Sequence, residues 1–317
     1  MTHTITLING DGIGQEVIPA ARRVLDALKL PLMFQDADAG FGTFERVGEA
    51  LPAETLHLCE ASDAVMFGAT QSPMTKVAGY RSPILQLRQH FDLFANLRPA
   101  KAGEIDLLVV RENTEGMYSG RERIEEDGAT AILERVITAH ASERIVRVAC
   151  EQARSRRRGL TIVHKANVLK ETCGLFRRTA FAAAADYPDL TVNELLVDTA
   201  ALVMAQDARR FDVIVTTNLF GDILSDLAAG LTGGLGLASS ANVGAGRVAV
   251  FEPVHGSAPD IAGKGIADPR AAILSASMLL NHLGYADQAA RVRSVTYETA
   301  FQGTTTATTD AIVAALA

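Results

Sequence analysis

"FDVIVTTNLFGDILSDLAAGLTGGLG", residues 211–236, joins a short apolar run to a segment that reads as a helix. The run "FDVIVTTN" at 211–218 has the length and β-branched content of a buried strand. A strand that passes directly into a helix is the building unit of an α/β sheet. Within the helix, Asp222 and Asp226 lie four apart and share one face, where like charges repel by roughly 0.2–0.5 kcal/mol. Two readings of the pair stand. In one, Asp222, following Gly221, caps or favours the positive N-terminal end while Asp226 sits in water. In the other, a divalent cation turns repulsion into joint coordination by hard oxygen donors.

Working outward, the same unit recurs. "HTITLING" (3–10), "DAVMFGAT" (63–70), "DLLVVREN" (106–113), "LTIVHKAN" (160–167) and "TVNELLVD" (191–198) read as strands. Helical spacing marks "EVIPAARRVLDALKL", "SPILQLRQHF", "SERIVRVACEQARS" and "GLFRRTAFAAAADY". The alternation predicts an α/β sheet covered on both faces. Polar residues gather where strands end: Arg111, Glu112 and Asn113; Lys165 and Asn167; Asp198; Asn218 and Asp222. In open α/β sheets ligands bind at that carboxyl edge.

The 317 residues suffice for about two domains, and 48% hydrophobic with 21% charged content is that of a globular enzyme. A net charge of −7 gives no electrostatic reason to expect nucleic acid as a partner. The basic run "RSRRR" (154–158) reads as a solvated helix end before a turn at Gly159. "MTHTITLINGDGIG" moves straight into a strand and lacks signal-peptide features, and no run of about 18 apolar residues suggests a membrane span. Three scattered cysteines, Cys59, Cys150 and Cys173, fit a reducing cytoplasm and buried packing.

Asp198, with Asp222 and Asp226, offers three carboxylates to one Mg2+ or Mn2+, and the lack of a nearby His or Cys cluster disfavours zinc. Lys165 follows a buried-type strand, which suits either a base of lowered pKa or a snorkelling surface lysine. Arg88, Arg98 and Arg111 each sit among apolar residues, a setting for gripping a carboxylate or phosphate, or for a structural ion pair. Tyr118, in the glycine-flanked "NTEGMYSG", offers a phenolic proton. "GDGIG" (10–14) is not the GxGxxG fingerprint. "HGSAPDIAGKG" (255–265) reads as a loop whose backbone approaches a ligand, with Asp260 suited to ribose hydroxyls.

Taken in order, "NGDGIGQEVIPAARRVL", "RENTEG", "HKANVL", "NLFGDILSDLAAGLTGGLGLA" and "EPVHGSAPDIAGKGIADPRAAILSASMLL" resemble the signature segments of the metal-dependent β-decarboxylating dehydrogenases, the isocitrate/isopropylmalate dehydrogenase family, over essentially the whole chain. The appearance lies nearest the homoisocitrate dehydrogenases. The resemblance implies a large mixed sheet flanked by helices in two domains, not a classical Rossmann fold. It implies a discontinuous cofactor-binding domain from 1–93 and 233–317, and a central domain, 94–232, with metal ligands and a dimer interface. Asp198, Asp222 and Asp226 become metal ligands, Lys165 the base for the C2 hydroxyl and Tyr118 the acid that protonates the enolate. Arg88, Arg98, Arg111 and Asn167 become substrate ligands, with Ser82, Ile84 and Leu85 at the variable substituent. Lys165 and Asp198 serve the neighbouring subunit's site, so a homodimer is the minimal unit.

Thr70, Asn218, His255, Gly256, Ser257, Ala258, Asp260, Ile261 and Asp268 are the implied cofactor residues. Asp260 favours NAD, since its carboxylate repels the 2′-phosphate of NADP. Asp268 stands where the family usually has asparagine. The partner is a small 2-hydroxy di- or tricarboxylic acid. "SPI" before "LR" and "FGATQSP" lean towards homoisocitrate, the apolar Ile84–Leu85 pair towards 3-isopropylmalate; isocitrate or a tartrate- or malate-type acid follows. A non-catalytic regulatory subunit would have lost part of the Asp, Lys, Tyr and Arg set, which this chain keeps.

Overall fold

A computed structural model of the chain describes residues 2–126 and 128–317. They form two compact units, one comprising the chain up to Leu93 and again from Gly234 to Ala317, the other Phe94–Gly233. In chain order the first unit begins with β1 (His3–Gly10), α1 (Gly14–Ala27), β2 (Leu32–Ala37), α2 (Phe41–Val47), α3 (Ala53–Ala61), β3 (Ala64–Ala69) and α4 (Pro83–His90). The second contains β4 (Ala95–Ala102), β5 (Ile105–Glu112), β6 (Glu122–Ile124), β7 (Ala131–Leu133), α5 (Ala139–Arg154), β8 (Gly159–His164), α6 (Thr172–Ala184), β9 (Thr191–Leu196), α7 (Val197–Asp207), β10 (Val213–Thr216) and α8 (Asn218–Leu231). The chain then returns to the first unit with β11 (Ser239–Val243), β12 (Val250–Pro253), α9 (Arg270–His282), α10 (Ala286–Glu298) and α11 (Thr305–Leu316).

In the first unit the strand order is β2-β1-β3-β12-β11, parallel except for β11. In the second it is β4-β5-β10-β8-β9, parallel except for β4. The parallel strands carry apolar runs because both their faces are covered: every residue of β3 and β10 is buried. Ile8, Val65, Phe67, Leu87 and Val250 share one core. Leu107, Val109, Val163, Met204, Ile214 and Leu224 share the other. Because β5, β10, β8 and β9 are parallel neighbours, their carboxyl ends lie along one edge. That edge presents Arg111, Asn218, Lys165 and Asp198.

The structure departs from the sequence reading at Asp198, at Asp222 and at the basic run, as well as in strands that the sequence reading did not mark. Strand β9 stops at Leu196 and Asp198 belongs to the first turn of α7, not to a strand end. Asp222 does not cap α8, because Thr217 holds the N-cap position and Asp222 lies a turn inside the helix. The basic run after α5 is only partly solvated: Arg156 bonds Asp106 at 2.5 Å and Asp212 at 2.9 Å, and Arg157 donates to the Phe211 carbonyl at 2.6 Å. All three cysteines are buried and unbridged; burial pushes the Cys59 thiol up to about 12 and the Cys150 thiol to about 11. None of the helices described is long and apolar enough to cross a membrane.

Candidate active site

In the second unit, polar side chains converge on Asp222. Arg111, only 2% exposed, bonds Asp222 Oδ1 and donates to Asn218 Oδ1 at 2.8 Å. Arg98 comes from the antiparallel neighbour β4; it reaches Asp222 Oδ1 at 3.2 Å, Ser225 Oγ at 2.9 Å and Asn96 Oδ1 at 2.5 Å, and lies 3.5 Å from Asp226. Tyr118 donates its hydroxyl to Asp222 Oδ2 at 3.0 Å. A side chain at Gly221 would meet Arg111 Cβ and Cγ at 2.7 Å, so only glycine lets α8 lie this close. The repulsion between Asp222 and Asp226 is therefore offset by two guanidinium groups. Burial and the Asp222 charge still push the Asp226 carboxyl above the usual range, against the pull of Arg98.

The segment "RENTEG" owes its shape to its acids. Glu112 accepts from the Thr114 amide and hydroxyl and the Glu115 amide, at 2.7–3.0 Å. Glu115 in turn accepts from the Thr138 amide and hydroxyl at the start of α5. These bonds shape the turn that carries Tyr118. Burial and then Asp222 raise the Tyr118 hydroxyl above the ordinary tyrosine range, with Arg111 opposing, so the phenol stays protonated at neutral pH.

Lys165 follows β8, and its ammonium lies 2.7 Å from Asp198 Oδ1, which holds the Asp198 carboxyl below the usual range. Asn167 is exposed on the turn that follows. Sequence reasoning passed over His164, Glu194 and Arg177. His164 Nδ1 accepts from the Ala166 amide at 3.2 Å and its Nε2 faces Glu194 at 2.8 Å; Arg177 grips Glu194 through two bonds of 2.5 and 2.6 Å.

In the first unit, the two glycine-rich loops meet. The Ile13 amide donates to the Ser257 carbonyl at 2.9 Å, and a side chain at Gly12 would collide with that carbonyl. Asp11, also passed over, accepts from the amides of Phe41, Gly42 and Gln71 at 2.7–3.0 Å and ties the loop after β3, which begins at Thr70, to α2. Ala258 adopts a left-handed conformation (φ +40), costly for an L-residue. Gly256 and Asp260 are exposed, Ile261 is half-buried and closes a turn onto the Ala258 carbonyl, and Ser257 is buried. His255 Nδ1 donates to the Gly256 carbonyl, and burial holds its imidazole below the usual histidine range. Asp268 is gripped by Arg270 at 2.7–3.1 Å. Arg88 pairs with Glu252 at 2.8 Å, and Asn242 shares that oxygen. Ser82 occupies the N-cap of α4 without a side-chain cap bond; Ile84 leans on the core and Leu85 is half-buried.

Whether these residues suit a metal and a dinucleotide can be judged from their chemistry. Asp222 and Asp226 are hard oxygen donors one helical turn apart on α8, a spacing that lets both face one divalent cation. Among the described residues, no three acids, histidines or cysteines gather as a metal site; Asp198 is engaged by Lys165. Among the described residues, buried His255 Nε2, in the implied dinucleotide set, lacks a hydrogen-bond partner, as does Nε of Arg88 in the implied substrate set. Both sets fit.

The family model for isocitrate/isopropylmalate dehydrogenase matches residues 4–315. The chain is 52% identical to the isocitrate/homoisocitrate dehydrogenase of Thermus thermophilus, covering 100% of this chain and 99% of that protein. It is also 52% identical to the 3-isopropylmalate dehydrogenase of Archaeoglobus fulgidus, covering 94% and 92% respectively. The crystal structure of isocitrate dehydrogenase from Methylococcus capsulatus superposes with a TM-score of 0.94 at 42% identity, covering 99% of each chain.

Proposed function

The chain belongs to the isocitrate/isopropylmalate dehydrogenase family, and from that premise we propose that it catalyses NAD-dependent oxidative decarboxylation of a 3-substituted malate, homoisocitrate to 2-oxoadipate foremost. The observation that carries the reading is the convergence of Arg98, Arg111 and Tyr118 on Asp222. Two guanidinium groups fixed by packing are preorganised for the substrate carboxylate, including the one that leaves as CO2. Lys165, in its neutral amine form, accepts the proton of the C2 hydroxyl as the hydride leaves C2. Tyr118, held protonated, returns a proton to C3 once the carboxylate has gone. Arg88 is the third carboxylate ligand.

Asp222 and Asp226, completed by Asp198 from a second copy, are the residues for Mg2+ or Mn2+. Thr70, His255, Gly256, Ser257, Ala258, Asp260 and Ile261 are those for the dinucleotide, with Asp260 selecting NAD over NADP through charge. When bound, the nicotinamide supplies a two-electron oxidant and the ion a Lewis acid. The Arg270 grip on Asp268 leaves that carboxylate little capacity for the adenine. Exposed apolar side chains Ile124, Leu202 and Ile223 supply a surface for the second copy. A cytoplasmic setting suits the free thiols.

The half-buried Leu85 favours a second reading, 3-isopropylmalate, because an apolar pocket accepts an isopropyl group without stranding a charge. The test is steady-state reduction of NAD and NADP by homoisocitrate, 3-isopropylmalate, isocitrate and tartrate with Mg2+ or Mn2+. Highest kcat/KM with homoisocitrate and NAD supports the proposal. Preference for another acid overturns the substrate, and preference for NADP overturns the role of Asp260.

A further inference from the structure

We propose that His164 is a positioning residue for Lys165, set in place by Glu194 and Arg177 and acting through the Ala166 amide. The inference rests on the reading of Lys165 as proton acceptor. His164 is 3% exposed and closes β8, next to Lys165 in the chain. The Ala166 amide can only donate, so Nδ1 is the unprotonated nitrogen and Nε2 carries the hydrogen towards Glu194. Accepting from the amide two residues on is the turn-forming bond that Asn and Asp side chains make. The Lys165 carbonyl, on the other side, accepts from the amides of Val168 at 3.1 Å and Leu169 at 2.8 Å. The backbone that carries the ammonium is thus pinned before and after the residue.

The imidazole is itself fixed from two further elements. Glu194 lies on β9, paired in parallel with β8, and Arg177 lies on α6. The fork of the guanidinium leaves the carboxylate one orientation, and the carboxylate selects the tautomer that exposes an acceptor to Ala166. A histidine needed only for packing would not require that acceptor.

The two amide replacements of histidine separate these roles. In His164→Asn, Oδ1 takes the place of Nδ1 and the bond to Ala166 persists. In His164→Gln the amide reaches towards Glu194 but Ala166 loses its acceptor. The readouts are hydrogen exchange at the Ala166 amide, thermal midpoint, and both kcat and KM with homoisocitrate, 3-isopropylmalate and isocitrate, with Lys165→Met alongside. His164→Gln should speed exchange at Ala166 and lower kcat about tenfold or more with KM changed less than about threefold, while His164→Asn keeps slow exchange and most of kcat. Equal loss of kcat in both variants, or unchanged kcat in His164→Gln, overturns the inference. Wild-type turnover in Lys165→Met instead overturns the role of Lys165.

Discussion

The Tyr118 hydroxyl donates to Asp222 Oδ2 at 3.0 Å, while Arg111, 5.2 Å from the centre of the same ring, bonds the other oxygen of that carboxylate. The phenol is thus oriented by an acid and restrained by a cation. Tyr118→Phe keeps the ring and removes the proton, so kcat should fall about 10²- to 10⁴-fold with little change in thermal midpoint. Because the Tyr118 pKa is raised, loss of activity from its ionisation belongs above the ordinary tyrosine range of about 10. Steady-state rates from pH 7 upwards check both points; wild-type kcat in the variant would remove Tyr118 from the reaction.

Asp222 and Asp226 should separate on substitution. Asp222 is the counter-ion of two buried arginines, so Asp222→Asn leaves their charge less compensated and should cost about 1–3 kcal/mol of stability, discounted because the carboxylate is partly solvated. Among the described residues Asp226 forms one ion pair, a loose one with Arg98 at 3.5 Å, and Asp226→Asn should fold as the parent does. Both should lose Mn2+ affinity in calorimetric titration, and with it dehydrogenase activity. A stable Asp226→Asn protein that binds Mn2+ as tightly as wild type would exclude Asp226 as a metal ligand.

Parallel strands such as "AVMFGA" (β3) and "VIVT" (β10) could be read from sequence because burial on both faces leaves a continuous apolar run. Strand β4 escaped, since "ANLRPAKA" carries Arg98, Pro99 and Lys101 through its middle and its hydrogen bonding is decided by β5 rather than by its own composition. The end of β9 escaped because "LLVD" is apolar whether extended or helical. Of the residues proposed for the chemistry, Lys165 stands out in the sequence by its place after a strand and Tyr118 by its glycine-flanked turn. Their supports do not: Asp11 reaches Gln71 and His164 reaches Glu194, bonds between distant stretches of chain that no local pattern announces.

Glu194 supplies a pH signature. The Arg177 hydrogen bonds, then His164, lower its carboxyl from 4.5 to about 2. A depressed acid stabilises the fold fully above its unfolded pKa, and that contribution is lost as pH falls towards the folded value. Wild type should therefore lose stability between about pH 5 and pH 2 more steeply than Glu194→Gln, and the gap between their thermal midpoints should narrow over that range. A gap independent of pH would mean that Glu194 is not held as a carboxylate by Arg177.

A site shared between two copies can be tested by mixing. If Lys165 and Asp198 serve the partner's Asp222 cluster, a hybrid of Lys165→Ala and Arg98→Ala chains has one site with both defects and one with neither. Each homodimer should be inactive, and random re-association should restore about one quarter of wild-type activity, since half the dimers are hybrids with one intact site. Hybrids that form, as separated by differently charged tags, yet stay inactive would place each site within one chain.

Leu85 carries the substrate question. It lies in α4 one residue after Ile84; both are half-buried, and Ile84 leans on the core that holds Leu87. Leu85→Arg introduces a fork that a terminal carboxylate can engage through two bonds, and that an isopropyl group would leave unpaired. Stranding a polar group in a closed site costs about 1–3 kcal/mol, more when it is charged, so 3-isopropylmalate should lose at least about tenfold in kcat/KM relative to homoisocitrate. Both constants are measured in parent and variant at saturating NAD and Mg2+. An unchanged ratio would show that residue 85 does not face the substituent, and the ranking of the two acids drawn from it would fall.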